Sequence, residues 1–448
     1  MMMNQDVFKL PGPGGASVVD TLANLNEDKL AFLTKCSREY GDVVPLQIGT
    51  HPSLLINSPG YIDQVSKDRA LFIRGPNVRT SLQGLLGEAL FLKEGESWFH
   101  QRRITQPVLH HKRISNYGDI IIAYTERLLD TWQDGEIRNV QPDMMRLTLN
   151  IMWKVIFNHD LSEQEAQDIG YILGVSTRLF EGNPQHLEEH SATNNLRYER
   201  ILQEMDRYIY SLIQSRRQSG EDPGDMLSML MQVRDQDDNS QMNDKQLRDE
   251  VVSLVFAGQE AVAVVLSWTF LLISLHPEVQ TKLLTELNQV LGGRSPSVAD
   301  LPHLCYTESI IKEAMRLYPP VAVMPRISIQ DYELDGYKVP TGCTVLISSW
   351  TMHRHPRYFE QPDIFNPDRW ANGLEKQLPR GTYFPFGHGP RICIGKSLAQ
   401  MEMLSIVATI VQKYHLKLVS DFNIVLWATI TLRSKQGVPL QLHLREQS

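Results

Sequence analysis

Cysteine is scarce in this chain: four in 448 residues, at positions 36, 305, 343 and 393, no two of them close in sequence. Such sparse, unpaired usage excludes a disulfide scaffold and fits a reducing compartment. Positive charge is not in excess either, since 44 Lys and Arg against 52 Asp and Glu leave a formal net charge of -8. Nothing in that balance asks for nucleic acid as a partner. The opening MMMNQDVFKLPGPGG contains no apolar run of leader or anchor length, so the expectation is a soluble, cytoplasmic protein without a membrane anchor. Internal repeats, low-complexity tracts and a clear linker are also missing. Residues 1–448 therefore read as a single domain, with residues 1–15 as its Pro/Gly-rich entry segment.

What the chain does have is material for a large core, with 42% of its residues hydrophobic. One stretch, VVSLVFAGQEAVAVVLSWTFLLISL from Val251 to Leu275, is apolar enough to suggest a membrane span. Gln259 and Glu260 interrupt it, and a carboxylate at bilayer depth is costly. A long helix through the middle of a large protein, apolar all round, fits better. Asn243 or Asp244 is placed to cap its start, and His276-Pro277 to end it. VVPLQI and HPSLLINS predict a small β-hairpin, and helical periodicity dominates from Ser97 to Tyr318. That helical region is broken at HHKR, FEGNPQHLEEH, SGEDPGD and DQDDNSQMND. From Val321 on, strands and irregular segments alternate until the helix KSLAQMEMLSIVATIVQKY and the closing strand pattern PLQLHLRE. The fold class is mainly α with a smaller β portion.

The chemistry centres on FGHGPRICIG, Phe386 to Gly395. Gly387 and Gly389 remove side chains where backbone has to approach something flat and large. A helix beginning near Gly395 puts the Cys393 sulfur close to a helix N-terminus, and Arg391 adds a cation; both favour thiolate over thiol. With no second Cys or His at metal-finger spacing, Cys393 makes a poor zinc site. It suits the single axial ligand of a haem iron, whose equatorial ligands come from the porphyrin. On these ten residues alone, a structural cysteine in a turn stays open as the alternative.

The decapeptide resembles the haem-binding signature of the cytochrome P-450 superfamily of haem-thiolate monooxygenases, in its soluble bacterial form, with Phe386, Gly387, Arg391, Cys393 and Gly395 at matching positions. The resemblance implies a triangular helical prism with haem b (iron protoporphyrin IX) between the long helix and the cysteine loop, and Cys393 as its iron ligand. Further matches follow in the family's order. KEAMRLYPP carries Glu313 and Arg316 at i, i+3, the pair that relatives bury and complete with an arginine such as Arg369 in FNPDRW. These three imply structural support for the haem pocket. ESWFHQRR carries Trp98 and Arg102, and PPVAVMPR carries Arg326, where relatives contact the haem propionates; each arginine alone reads as a surface charge. FAGQEAVA places Ala257, Gly258 and Glu260 like the segment that crosses the oxygen-binding face, where relatives use the glycine to widen the helix locally.

Where relatives have threonine, this chain has Ala261, which cannot donate a hydrogen bond. Gly258, Glu260 and Ala261 are thus the expected catalytic segment, with protons delivered by ordered water, by water together with Glu260, or by a substrate hydroxyl. The resemblance implies a monooxygenase that inserts one atom of O2 into a hydrophobic small molecule of fatty-acid, terpenoid or polyketide-like character. Alternatives are a haem-thiolate rearrangement, dehydration or peroxide-driven oxidation, and a non-enzymatic haem sensor or carrier. No Cys-rich cluster motif or spare length for a flavin domain is visible, so electrons are expected from a separate ferredoxin or flavodoxin docking at Arg102, Arg103, Lys112, Arg113 and Lys396. The protein is expected to be a monomer. Expected pocket residues are Phe256, Val321, Val323, Ile430 and Thr431, with segments of Phe72 to Leu90 and Leu179 to His190.

Overall fold

The computed structural model describes residues 5–13, 18–48, 51–181, 192–235, 239–419 and 422–445. In chain order the first helices are α1 (Val18–Tyr40), α2 (Pro59–Lys67), α3 (Pro76–Leu86), α4 (Gly95–Thr105), α5 (His111–Ile114) and α6 (Gly118–Leu129). The middle of the chain forms α7 (Val140–Phe157), α8 (Glu163–Glu181), α9 (Ala192–Ser219), α10 (Met226–Gln232), α11 (Asp244–Leu275) and α12 (Pro277–Leu291). The last are α13 (Cys305–Leu317), α14 (Ser349–Met352), α15 (Leu374–Gln377) and α16 (Lys396–Lys413). The chain divides into two compact units, Met1–Pro76 with Lys312–Cys393, and Asn77–Ile311 with Ile394–Ser448.

The first unit is organised by a sheet. Its strands are β1 (Gln5–Asp6), β2 (Val43–Ile48), β3 (His51–Ile56), β4 (Phe72–Ile73), β6 (Val323–Ser328), β7 (Tyr332–Leu334), β8 (Tyr337–Val339) and β9 (Thr344–Ser348), with β5 (Ile137–Asn139) in the other unit. VVPLQI and HPSLLI pair antiparallel as expected, but the hairpin is the start of a five-stranded sheet in the order β2-β3-β9-β6-β4. β9 joins β3 in parallel, Leu54 opposite Val345, a pairing between distant segments that no local pattern announces. Side chains alternate across this sheet. Leu54, Ile56, Val345 and Ile347 pack with Ile62 and Val65 of α2, while Leu55 and Leu346 pack with Leu33 and Cys36 of α1. Burial pushes the Cys36 thiol, beside Glu39, up to about 11, and that of Cys343 up to about 12. Both behave as small core residues.

The second unit is built around α11. Its start is closed by a capping box: the Asn243 side chain accepts from Gln246 N at 2.9 Å, and Gln246 Oε1 accepts from Asn243 N at 2.9 Å. Its end is His276, before Pro277, as the sequence predicts. α11 is long and apolar enough to cross a membrane, yet 83% of its most apolar window is buried inside the protein, which makes it a core helix. Strands β10 (Tyr414–Leu418), β13 (Pro439–Leu444) and β5 form one sheet, and β11 (Leu426–Ala428) with β12 (Leu432–Ser434) forms a hairpin. Two local expectations change. HHKR, read as a break, includes the short helix α5. Leu179, read as the start of a loop, still belongs to α8, which runs to Glu181; the rest of that loop lies outside the described residues.

Within α16, Glu402 is fully buried and its Oε1 has no hydrogen-bond partner among the described residues. Burial pushes its pKa up to about 8. Between the ordinary carboxylate value and about pH 8 the unfolded chain loses this proton while the folded chain keeps it. Stability therefore falls with rising pH in that window, by at most about 1.4 kcal/mol per unit. Glu402→Gln should remove the loss, so its melting temperature should exceed that of the wild type by a gap that widens from pH 5 to pH 8. Parallel melting profiles would contradict a buried, neutral Glu402.

Candidate active site

Cys393 ends a loop that is closed on itself: Cys393 N donates to Phe386 O at 2.9 Å, Gly387 N to Phe384 O at 2.9 Å, and Ile392 N to Gly389 O at 3.1 Å. Gly387 (φ +81°) and Gly389 (φ +72°) take up left-handed backbone that bulkier residues resist. A Cβ on Gly389 would lie 2.5 Å from the Ser66 carbonyl oxygen of α2. The glycine expected to admit a flat ligand is therefore already required by the protein's own packing. His388 Nε2, 2.7 Å from Asp63 Oδ1, ties the loop to the same helix. Burial raises the Asp63 pKa, but Lys67 and His388 outweigh it and hold the carboxyl below its ordinary value. Cys393 itself is exposed, unlike the core cysteines 36 and 343; Arg391, Phe386 and Gly387 are half-buried.

Behind the loop stands the Glu313–Arg316 pair, both residues 0% exposed. Glu313 Oε1 accepts from Arg316 Nη2 at 2.8 Å, Arg369 Nε at 2.8 Å and Asn366 N at 3.0 Å. Its Oε2 accepts from Arg316 Nε at 2.8 Å and Trp370 Nε1 at 2.9 Å. Arg316 spends its other donors on the carbonyls of His353 (2.9 Å), Pro362 (2.6 Å) and Ile364 (3.1 Å). A buried charge pair is tolerable only when its hydrogen bonds are filled in this way. The surface bridge that i, i+3 spacing allows is excluded.

His353 carries the network forward. Phe384 N donates to its Nε2 at 2.9 Å, so the fully buried imidazole links Arg316 to the segment entering the cysteine loop. Burial, with the neighbouring Arg316 charge, lowers its pKa to about 3. Sequence reasoning missed His353 and Trp370, because a His in TMHRHP and a Trp after an arginine carry no signal without their partners. Also in this unit, Arg326 lies half-buried in β6 with Nη1 2.9 Å from Pro325 O; Val321 and Val323 are half-buried beside it in sequence.

In the second unit, α11 is buried between Leu247 and Ile273 except along one strip. Ala257 is exposed, and Leu254, Gly258 and Ala261 are half-exposed, at i+3, i, i+4 and i+7 of one face. The helix is regular through Gly258, so the expected widening is not present. Gly258 instead answers a close contact: a Cβ there would lie 2.8 Å from the Met152 Sδ of α7. Gln259 and Glu260 are buried with partners. Gln259 Nε2 donates to Met145 O at 3.1 Å, while the Glu260 oxygens accept from the hydroxyls of Thr177 (3.0 Å) and Thr431 (2.5 Å). Thr431, expected to line a pocket, is only 4% exposed and is committed to Glu260; Ile430 beside it is half-buried. Phe256 is buried edge-on to Phe91, ring centroids 6.3 Å apart.

Trp98 and Arg102 come together on α4 as their spacing predicts, the guanidinium 5.4 Å from the ring centroid of a 4% exposed indole. Arg102 Nε also donates to Gln106 Oε1 at 3.1 Å. Arg103 does not offer itself to a partner protein: both its Nη2 distances to the buried Asp235 carboxylate are 2.7 Å. Gly395 caps the start of α16, which begins at Lys396.

These residues suit an iron porphyrin. Among the described residues, no three His, Cys, Asp or Glu side chains gather into a metal site of their own, so an iron held at the exposed Cys393 sulfur would need its other ligands supplied. The strip at Leu254, Ala257, Gly258 and Ala261 is apolar and partly accessible, with Ala257 the exposed residue in its middle.

The model of the family described as Cytochrome P450 matches residues 10–432. Among curated relatives, cyclooctat-9-en-7-ol 5-monooxygenase of Streptomyces melanosporofaciens is 31% identical over 409 residues, 90% of this chain and 89% of the relative. Pentalenene oxygenase of Streptomyces avermitilis is 27% identical and covers 99% of both chains. The crystal structure of the cytochrome P450DA heme domain superposes with a TM-score of 0.88 at 22% identity, over 98% of this chain and 97% of that one, and so shares the fold.

Glu313→Gln should cost about 3–5 kcal/mol of stability, because Arg316 and Arg369 would keep their charges without the carboxylate; a denaturation midpoint within error of the wild type would refute the buried network. His353 gives a pH signature. Between its ordinary value and about 3, the unfolded chain binds a proton that the folded chain refuses, so stability falls as pH drops below 6.5. His353→Gln should lose stability less steeply than the wild type between pH 6.5 and pH 4, by up to about 1.4 kcal/mol per unit, in urea titrations.

Proposed function

Because this chain belongs to the cytochrome P450 family, and is a haem-dependent monooxygenase acting on hydrophobic substrates with O2 and a redox partner, we infer that its substrate is a terpenoid and its iron ligand Cys393. The observation that carries the ligand reading is the exposed sulfur at the end of a loop closed by the Cys393–Phe386 hydrogen bond and fixed to α2 by His388. The terpenoid reading is supported by relatives named for cyclooctat-9-en-7-ol and pentalenene, hydrocarbon-rich terpenoids, and by the apolar strip on α11.

In this reading the group is haem b, and Phe386, Gly387, Gly395 and Ala257 are the residues that would hold it. Arg391, Arg326 and the Trp98–Arg102 pair neutralise its propionates. Bound by a thiolate, haem supplies dioxygen activation and transfer of one oxygen atom to carbon. The protein's own part is positional. Glu313, Arg316, Arg369 and His353 keep the cysteine loop from yielding, and the strip on α11 presents methyl and methylene groups that hold an apolar molecule and exclude water. Ala261 has no proton to give, so delivery at that point falls to ordered water or a substrate hydroxyl. The chain works as one domain and a monomer, soluble in the cytoplasm, taking electrons from a separate ferredoxin or flavodoxin. Arg102, Arg113 and Lys396 remain as candidate docking cations, Arg103 being tied to Asp235.

The test is spectroscopic, then catalytic. Reduced wild-type protein under carbon monoxide should show the red-shifted Soret band of a thiolate ligand, and Cys393→Ser should lose it. A panel of terpene alcohols and alkenes should then contain compounds that shift the ferric spin state and are oxidised only with both reductant and O2. A wild-type haem protein without the red-shifted band would overturn the ligand, and turnover of fatty acids with no response to any terpene would overturn the substrate class.

A further inference from the structure

Glu260 sits beside the open strip of α11 without facing it. At about 100° per residue it lies roughly 110° round the helix from the centre of the strip formed by Leu254, Ala257, Gly258 and Ala261. Its side chain is 11% exposed. Each oxygen is engaged by a different element: Oε2 accepts from Thr177 of α8 at 3.0 Å, and Oε1 from Thr431, at the foot of β12, at 2.5 Å. Arg433 of the same strand places Nη1 3.7 Å from Oε1 and lays its guanidinium 4.4 Å from the Trp427 ring centroid across the hairpin. Trp427 and Arg433 are directly opposed in the strand register.

That hairpin has only three residue pairs, Leu426–Ser434, Trp427–Arg433 and Ala428–Leu432, and a two-stranded ribbon of this size is marginal alone. Its tip is turned by Thr429 N and Oγ1, both donating to Thr431 O, at 3.0 and 3.1 Å. α11 grips it again through Trp268 Nε1, 2.7 Å from Leu432 O, and Gln141 of α7 pairs with the Ser434 backbone. Trp268 holds the strand's first residue and Gln141 its last. Among the described residues outside the hairpin, Glu260 alone hydrogen-bonds Thr431, next to the half-buried tip residue Ile430.

We propose that Glu260 is a positioning residue that clamps the Leu426–Ser434 hairpin to α11 through Thr431 and Arg433, and thereby fixes Ile430 against the substrate and selects which carbon is oxidised. The inference rests on the monooxygenase reading above, with Ile430 in the pocket. It sets Glu260 apart from proton delivery: its oxygens are spent on Thr177, Thr431 and Arg433, and its direction is away from the open strip. Removing the carboxylate would leave the 16% exposed Arg433 side chain with the Trp427 ring but without its ion-pair partner.

The holoenzyme, its haem confirmed by the carbon monoxide band, is compared as wild type, Glu260→Gln, Thr431→Val, the double variant and Thr431→Ser. Loss of a charge-assisted hydrogen bond should speed amide hydrogen exchange across residues 426–434 by about tenfold in Glu260→Gln and Thr431→Val. With a terpene that yields more than one product, both variants should shift the product ratio in the same sense, and the double variant should add little to either. Thr431→Ser should restore the wild-type ratio and exchange. Two outcomes overturn the proposal: unchanged hairpin exchange in both single variants, or increased peroxide leakage and an altered solvent isotope effect in Glu260→Gln with Thr431→Val silent, which would make the acid a proton relay. If the wild type oxidises no terpene, the substrate reading fails while the exchange experiment still decides the clamp.

Discussion

A carboxylate that gives up water entirely must be compensated on every lone pair, and Glu313 meets that condition with five hydrogen bonds from Arg316, Arg369, Asn366 and Trp370. Arg316 fills its remaining donors with the carbonyls of His353, Pro362 and Ile364, which fixes the otherwise irregular chain between α14 and the loop. His353, kept neutral by burial, can then accept from Phe384 N and pass the constraint to the turn that carries Cys393. Rigidity at an irregular loop cannot come from a repeating ladder, so it comes from a network in which every Arg316 donor and both Glu313 oxygens are engaged.

The cysteine loop shows how the same sequence feature can satisfy two demands. Gly389 has to lack a side chain because Ser66 lies against it, and Gly387 because its backbone is left-handed. Both conditions are internal to the protein. Cys393 stays exposed at its end, while Cys36 and Cys343 are consumed by the two faces of the sheet. Environment alone separates an exposed sulfur from two buried in the core.

In the second unit the constraint is different: a helix long and apolar enough to span a bilayer is buried on nearly all sides and left open along a few small residues. Met152 closes against Gly258, and Gln259 and Glu260 find partners on α7, α8 and the β11–β12 hairpin. The polar residues that break the apolar run thus act as fasteners between elements, which explains their burial without any membrane. The cost of burying them is met by hydrogen bonds that also fix the neighbours.

The sequence by itself determined the helical class, the caps of α11, the pairing of β2 with β3, and the family motifs at Glu313, Arg316, Cys393 and Trp98, because each of these is written in neighbouring residues whose spacing has a direct physical meaning. It also announced the missing hydroxyl at Ala261. Tertiary structure alone decided that β3 pairs with β9, that His353 and Trp370 belong to the Glu313 network, that Gly258 faces Met152, that Arg103 belongs to Asp235, and that Thr431 serves Glu260. Such contacts join residues far apart along the chain, and a side chain's partner is set by where the backbone carries it, which no local pattern of residue types can encode.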